Sequence, residues 1–389
     1  MYPRMCKRQI AVTTAALGFF IMIACTGSAG TTVIADRTPT PNNGHEKWRI
    51  AYYEGGAYVD YTDSMRAIIK GLMEYGWIER AILPNIRGDV EKPYWNWLAT
   101  KAQSKRLSFY KEDAFSAGWS SEQRDMVRKE VLTLLKSNKI DLVIAMGTWA
   151  GQDLATPEHH VPTIVTSTSN PIEAKIIKSA RDSGLDHVTA RVDPSRYLRQ
   201  IRMFHRIVGF KTLGVVYENS DEGRIYAAVK ELEQVAQERG FSLVRCFFTD
   251  QTEDRETSDR QCMECMEQIA EKADAVYLPA MLAIDEQICQ ISEMLKAKRI
   301  PSFSMLGSKH VAKGILLSVS TDEGHHTQGR YEAKKIIDIL IGVRPRDLNQ
   351  ISPDPLDPAV NMDTAKAIGF EVPAGILRIA KKFYDNICQ

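Results

Sequence analysis

From Trp48 onward the chain alternates short apolar runs with amphipathic stretches, and it does so twice. Trp48–Tyr53 reads as a strand broken by Gly55-Gly56. A helix near Thr62 puts Met65, Ile68, Ile69, Leu72 and Met73 on one face and stops at Gly76. A strand Leu107–Glu112, a helix Ser121–Lys136, a strand Asp141–Met146, a short helix from about Thr148 and a strand Pro162–Thr166 follow. The second series begins at the strand Thr212–Tyr217. It continues through helix Gly223–Arg239, strand Ser242–Thr249, helix Asp259–Lys272, strand Ala273–Pro279, helix Ile284–Lys298, and strands Ile300–Met305 and Ile315–Val319. A long helix Asp322–Ile341 and a helical tail Ala374–Tyr384 close the chain. Strands this short and this apolar are buried on both faces, which implies parallel sheets covered by helices. The fold class is therefore α/β, with two doubly wound lobes. Residues 81–105 interrupt the first series. Tyr94, Trp95 and Trp97 in that excursion read as anchors onto the lobe surface, with a ligand lid or a docking patch as the alternatives.

The segment ahead of this pattern carries an address. Arg4, Lys7 and Arg8 precede the apolar run Ile10–Ala24, the layout of a secretory signal. The run is short for a membrane span of about 20 residues. It ends Met22-Ile23-Ala24-Cys25, the pattern in which a bacterial lipoprotein takes a lipid on its cysteine. A plain signal cleaved near Ala29 and an uncleaved anchor are the alternatives. Residues 26–46, rich in Thr, Gly, Pro and Asn, read as a flexible tether. The place of work is then extracytoplasmic, in a periplasm or on the outer face of the cell membrane.

What remains exceeds the span one hydrophobic core serves, so two domains are expected. The chain holds 50 Lys+Arg and 49 Asp+Glu, three of the basic residues lying in the signal. That balance leaves no basic field for nucleic acid. Of seven cysteines, Cys6 leaves with the signal and Cys25 would carry lipid. The other five, Cys246, Cys262, Cys265, Cys289 and Cys388, cannot all pair within one chain.

Catalytic and cofactor signatures are missing from the sequence: there is no G-x-S-x-G, no P-loop, no H-E-x-x-H and no G-x-G-x-x-G. No enzyme activity and no cofactor are expected. Cys262-Met-Glu-Cys265 has C-x-x-C spacing but falls inside an expected helix, without a second pair to complete a metal set. His159-His160 and His325-His326 are sequence neighbours whose side chains diverge, so neither is a natural chelate. What is left is the carboxyl ends of the strands, where open α/β sheets bind ligands. Those ends carry Tyr58 and Tyr61; Gly147 and Thr148; Ser169 and Asn170; Tyr217, Asn219 and Ser220; and Met281. Helix-start amides there can hold an anion, and the tyrosines can stack on a flat ligand.

Five segments, in chain order, resemble the ABC-transporter substrate-binding family that includes tryptophan- and tyrosine-binding lipoproteins. They are Tyr58–Trp77, Asp141–Thr148, Pro162–Val165 with Ser169–Ile172, Ala273–Pro279 and Asn361–Gly369. The resemblance implies a type I periplasmic-binding-protein fold joined by three crossings. Lobe one would hold residues 47–190 and 318–346, and lobe two residues 191–317 and 347–389. The sequence departs from the family at Asn170, where an acid is usual, and at Pro279–Leu282, which is apolar. Both changes weaken the acceptors an amino-acid ammonium group needs, and favour a less cationic or more apolar ligand. The expected function is an extracytoplasmic lipoprotein that hands a small, amino-acid-like or aromatic molecule to an ABC permease by hinge closure. A sensory module coupled to a membrane receptor is the second reading, and a redox or metal lipoprotein built on Cys262 and Cys265 the third.

Overall fold

The computed structural model describes Pro41, residues 46–320, 323–354 and 356–385, and Cys388. The signal, Cys25 and nearly all of the tether lie outside the described residues. One sheet takes β1 (Trp48–Glu54), β2 (Leu107–Ser116), β3 (Leu142–Met146), β4 (Thr163–Thr166) and β5 (Val188–Ala190) in the spatial order β2-β1-β3-β4-β5, all parallel. Helices α1 (Val59–Glu74), α2 (Trp95–Thr100), α3 (Ser121–Lys136) and α4 (Gly147–Leu154) connect the strands. Strand alternation explains the double coverage. Ile50 and Tyr52 of β1 enter the apolar cluster on one side of the sheet, whereas Ala51 and Tyr53 enter the cluster on the other. β2 runs past its expected end because Asp113 is neutralised inside it, with Arg49 Nε donating at 2.7 Å.

The chain then builds the second lobe: α5 (Arg196–Val208), β6 (Thr212–Tyr217), α6 (Asp221–Tyr226), α7 (Val229–Arg239), β7 (Ser242–Phe247), α8 (Arg255–Ala270), β8 (Ala275–Leu278), α9 (Leu282–Ala297), β9 (Ser302–Ser304), α10 (Ser308–Ala312) and β10 (Leu317–Ser320). It returns to the first lobe as α11 (Glu323–Leu340). The second lobe is completed by β11 (Leu356–Asn361), α12 (Met362–Ile368), α13 (Ala374–Ile379) and β12 (Lys382–Tyr384). The second sheet has the order β12-β11-β10-β9-β8-β6-β7. Its strands are parallel except for β10 against β11, an antiparallel pair that corrects the expectation of purely parallel sheets.

Two expected helices are not continuous. Gly223–Arg239 divides into α6 and α7 because Ala228 takes a left-handed φ of +51°. The tail helix stops at Ile379, and Lys382–Tyr384 pairs with β11 instead. Trp95 of the excursion is buried, and its indole Nε1 donates to the Tyr110 carbonyl at 2.8 Å, fixing α2 to β2.

α11 packs against α1 through small residues. A Cβ at Gly329 would lie 2.3 Å from the Ala67 carbonyl carbon, and one at Gly71 would lie 2.8 Å from the Ala333 Cβ. Only glycine permits that approach, which is why so late a helix closes the first lobe. The chain passes between the lobes three times, after β5, after β10 and before β11. The first and third passages run side by side: Val192 bridges Ile351, with Val192 N donating to the Gln350 carbonyl at 2.8 Å. Both sheets belong to one compact unit, Pro39–Gln389.

Candidate functional site

The carboxyl ends of β1, β3 and β4 face those of β6, β7 and β8, and two adjoining recesses lie between them. The first is polar. Its walls include Tyr58, Asp60, Ser167, Thr168 and Ser169 from the first lobe, Arg191 from the first crossing, Arg196, Tyr197, Ala280 and Met305 from the second lobe, and Ser320 and Gln328 at the second crossing. The other is aromatic. Tyr61, Trp119, Thr148, Tyr226, Asp250 and Leu282 line it, and it shares Tyr58, Ser167, Ser169 and Ala280 with the first.

Local sequence explains these positions. Gly55 and Gly56 end β1 without side chains, and a Cβ at Gly56 would lie 2.6 Å from the Trp119 ring. Trp119 therefore lies over the strand end, with its indole Nε1 donating to the Ala57 carbonyl at 2.8 Å. Tyr61 packs beside it at 6.2 Å and meets Tyr58 edge-on at 5.3 Å. Ser167 follows β4 in a left-handed conformation, φ +53°, and its hydroxyl donates to Asp60. An L-residue held there costs roughly 1–3 kcal/mol, a strain typical of ligand clamps.

Charge in the polar recess is concentrated and shared. Arg191 pairs with Asp354 and donates to the Ser352 carbonyl at 3.2 Å. Arg196 Nε lies 3.2 Å from the same Asp354 carboxylate, and its guanidinium sits 5.2 Å from the Tyr197 ring centroid. The aromatic recess has one buried acid. Asp250 accepts from the Leu282 and Ala283 amides at 3.0 and 2.9 Å, and burial pushes its pKa up to about 6 against the pull of those bonds. Two hydroxyl contacts cross between lobes, Tyr226 with Thr148 and Tyr197 with Ser169.

A family model described as ABC transporter substrate binding protein matches residues 111–384. The chain belongs to that family. Its members are binding proteins, not enzymes, and work outside the cytoplasm. A tyrosine-binding protein from Clostridioides difficile (strain R20291) is 23% identical over 67% of this chain and 73% of its own length. Among solved structures, a Streptococcus pneumonia ABC domain in complex with L-Trp is 19% identical, with a TM-score of 0.67 over 87% of this chain and 99% of that one. A conserved domain protein from Vibrio cholerae is 18% identical, with a TM-score of 0.65 over 87% and 99% of the two chains. These likenesses show the fold, the two-lobed type I periplasmic-binding architecture.

In this substrate-binding protein the residues singled out by sequence divide. Tyr58, Tyr61, Thr148 and Ser169 line the recesses. Gly147 stands behind Tyr61, and Met281 is buried between the lining residues Ala280 and Leu282. Asn170 turns aside: its Nδ2 donates to Glu173 at 3.2 Å and Glu231 at 3.5 Å. Tyr217 is buried in the second lobe against Phe247. Asn219 and Ser220 border a separate recess beside Cys265, and the Ser220 hydroxyl caps α6 by accepting from the Gly223 amide at 3.0 Å. The β6 end does feed the cleft, but through Tyr226 on α6, just as the β7 end does through Asp250.

Sequence reading passed over Arg191, Arg196, Trp119 and Tyr226. The arginines sit on the first crossing and on α5, a helix hidden by its many basic residues. Trp119 follows β2 beyond the end expected for it at Glu112, and Tyr226 lies on α6, past the strand-end residues Asn219 and Ser220.

The redox reading is overturned. Cys265 is bonded to Cys246, not poised against Cys262, and Cys289 is bonded to Cys388. Cys262 is a buried thiol whose pKa burial drives far up. Among the described residues no group of three or more His, Cys, Asp or Glu side chains is arranged to hold a metal ion. His159 Nε2 donates to the Leu154 carbonyl of its own lobe at 3.0 Å, and burial holds its pKa down to about 4. His326 pairs with Glu74.

Proposed function

We propose that this chain is an extracytoplasmic lipoprotein that captures a small amphipathic, amino-acid-like solute between its lobes and delivers it to an ABC permease. The observation that carries the reading is the pairing of recesses. A polar pocket with Arg196, Arg191 and Asp60 opens directly onto an aromatic one with Tyr58, Tyr61 and Trp119. A solute with a charged head and a flat body would satisfy both at once. The tyrosine-binding relative and the neighbour in complex with L-Trp support the same class.

Capture works by hinge closure. Solute contacts made from both lobes exist only in the closed form, so binding shifts the open–closed equilibrium, and the permease reads the closed form. Lipid on Cys25 and the tether over residues 26–46 would keep the trap near its transporter. The test is a thermal-shift screen of L-tyrosine, L-tryptophan, sugars and purines. A solute at about 100 times its Kd stabilises the folded protein by roughly 2.7 kcal/mol. Stabilisation by sugars or purines alone would sink the aromatic-solute reading. Loss of radiolabelled palmitate on Cys25→Ser tests the anchor separately.

A further inference from the structure

Resting on the aromatic-solute reading, we propose that the head group this cleft selects is a carboxylate, and that the natural ligand is an aromatic carboxylate with no need of an α-ammonium group.

The unmet hydrogen-bonding capacity on the polar walls belongs to groups that can donate. Arg191 Nε, Arg196 Nε, the Tyr58 hydroxyl and the Thr168 hydroxyl are buried atoms without a hydrogen-bond partner among the described residues. All four belong to residues of one recess. A guanidinium can only donate, and its planar fork matches a carboxylate. The two arginines share Asp354 as their counter-charge, and it satisfies them unequally. Arg191 uses Nη2 for it, whereas Arg196 Nε faces Asp354 Oδ2 at 3.2 Å with both atoms left out of hydrogen-bond alignment. An incoming carboxylate supplies the aligned acceptors that Asp354 does not.

The acids that an ammonium group would need are occupied. Asp60 accepts from Ser167. Asp354 is flanked by both arginines, and its Oδ1 also accepts from Gln328 Nε2 at 2.8 Å, so only Oδ2 is left without an aligned donor. Asp250 accepts two amides at the start of α9, at 3.0 and 2.9 Å. Asp60 and Asp354 balance the two arginines, so the head group is selected by the unmet donors rather than by net charge. Carboxylate and ammonium are therefore not equal partners here: the first completes the donors, and the second displaces bonds already made.

Isothermal titration of the mature protein with three compounds on one ring decides the matter: 3-(4-hydroxyphenyl)propanoate, L-tyrosine and tyramine, with the matching indole series in parallel. The propanoate is expected to bind at least as tightly as the amino acid, and the amine not at all at 1 mM, where "1 mM" is about the weakest binding such a titration reads. Amino acid binding more than about threefold tighter than the propanoate overturns the proposal while leaving the aromatic-solute reading intact. So does amine binding. Silence from both series, with the protein folded by circular dichroism, removes that parent reading and this proposal with it. Arg196→Gln should weaken propanoate binding by about 30-fold or more, roughly 2 kcal/mol at 1.4 kcal/mol per decade. Arg196→Lys should recover part of it. If Arg196→Gln does not fold, the compound series on the unaltered chain still decides.

Discussion

A Cβ atom at Gly147 would lie 1.8 Å from the hydroxyl oxygen of Tyr61. The glycine at the end of β3 thus makes room for an aromatic wall of the cleft, and its φ of +85° is one that side chains resist. Gly147→Ala is expected to destabilise the protein by roughly 1–3 kcal/mol from backbone strain alone. It should also displace the Tyr61 ring and weaken solute binding. Urea unfolding and titration of the variant check both effects. Unchanged affinity would mean that Tyr61 does not shape the bound state.

Much of this arrangement is legible in the sequence. The glycine after Met146 and the tyrosines after Gly56 lie where strand ends must lie, and strand ends follow from apolar runs. What stays hidden is which residue beyond a strand end turns inward: nothing local in Thr212–Tyr217 says that Tyr226 on α6 lines the cleft while Asn219 and Ser220 border a separate recess. Arg191 and Arg196 were invisible for another reason. Their place is set by the first crossing, where Val192 bridges Ile351 from a segment far along the chain. Cys262 and Cys265 misled because sequence spacing suggested a pair, while the fold sets Cys265 against Cys246 on β7.

The two disulfides should differ in worth. Cys246 and Cys265 are separated by 19 residues and Cys289 and Cys388 by 99. Loop-closure entropy assigns about 3 kcal/mol to a 15-residue loop and about 4.7 to a 100-residue one. The Cys289→Ser/Cys388→Ser variant should therefore unfold at lower urea than Cys246→Ser/Cys265→Ser. Equal midpoints would refute the ordering. In the native protein, Cys262 should resist iodoacetamide, since it is buried and its thiol is kept protonated.

Stability should fall as pH rises from 6.5 to 8. Glu54 is fully buried, and burial raises its pKa from the ordinary 4.5 to about 8, despite bonds from the Tyr52 hydroxyl and the Lys92 amide. The folded state thus holds a proton that the unfolded state releases. Its contribution is complete below pH 4.5 and is lost as pH climbs through about 8. Other shifts act elsewhere: Asp89 and Asp250 between 3.8 and about 6, Glu238 between about 2 and 4.5, His159 between about 4 and 6.5, and Lys335 between about 8 and 10.5. Urea midpoints across pH 6.5–8 should decline by at most about 1.4 kcal/mol per pH unit. Glu54→Gln should flatten the slope, and a slope that survives would point to another group.

The lobes are clasped at their rim by an ion pair. Lys309 on α10 of the second lobe reaches Asp63 on α1 of the first. Both side chains meet solvent, at 45% and 24% exposure, so the pair is worth no more than about 1 kcal/mol. It exists only while the lobes are together, which places its effect on opening rather than on encounter. Lys309→Ala should therefore speed solute release up to about fivefold while leaving the association rate and the unfolding midpoint nearly unchanged. Raised salt should speed release from the unaltered protein in the same direction, since exposed pairs are screened within a Debye length of about 8 Å at physiological ionic strength. Stopped-flow displacement at low and high salt measures both. A release rate insensitive to salt and to the substitution would mean that the pair forms without holding the lobes, and that closure rests on the buried contacts of Tyr226 with Thr148 and Tyr197 with Ser169.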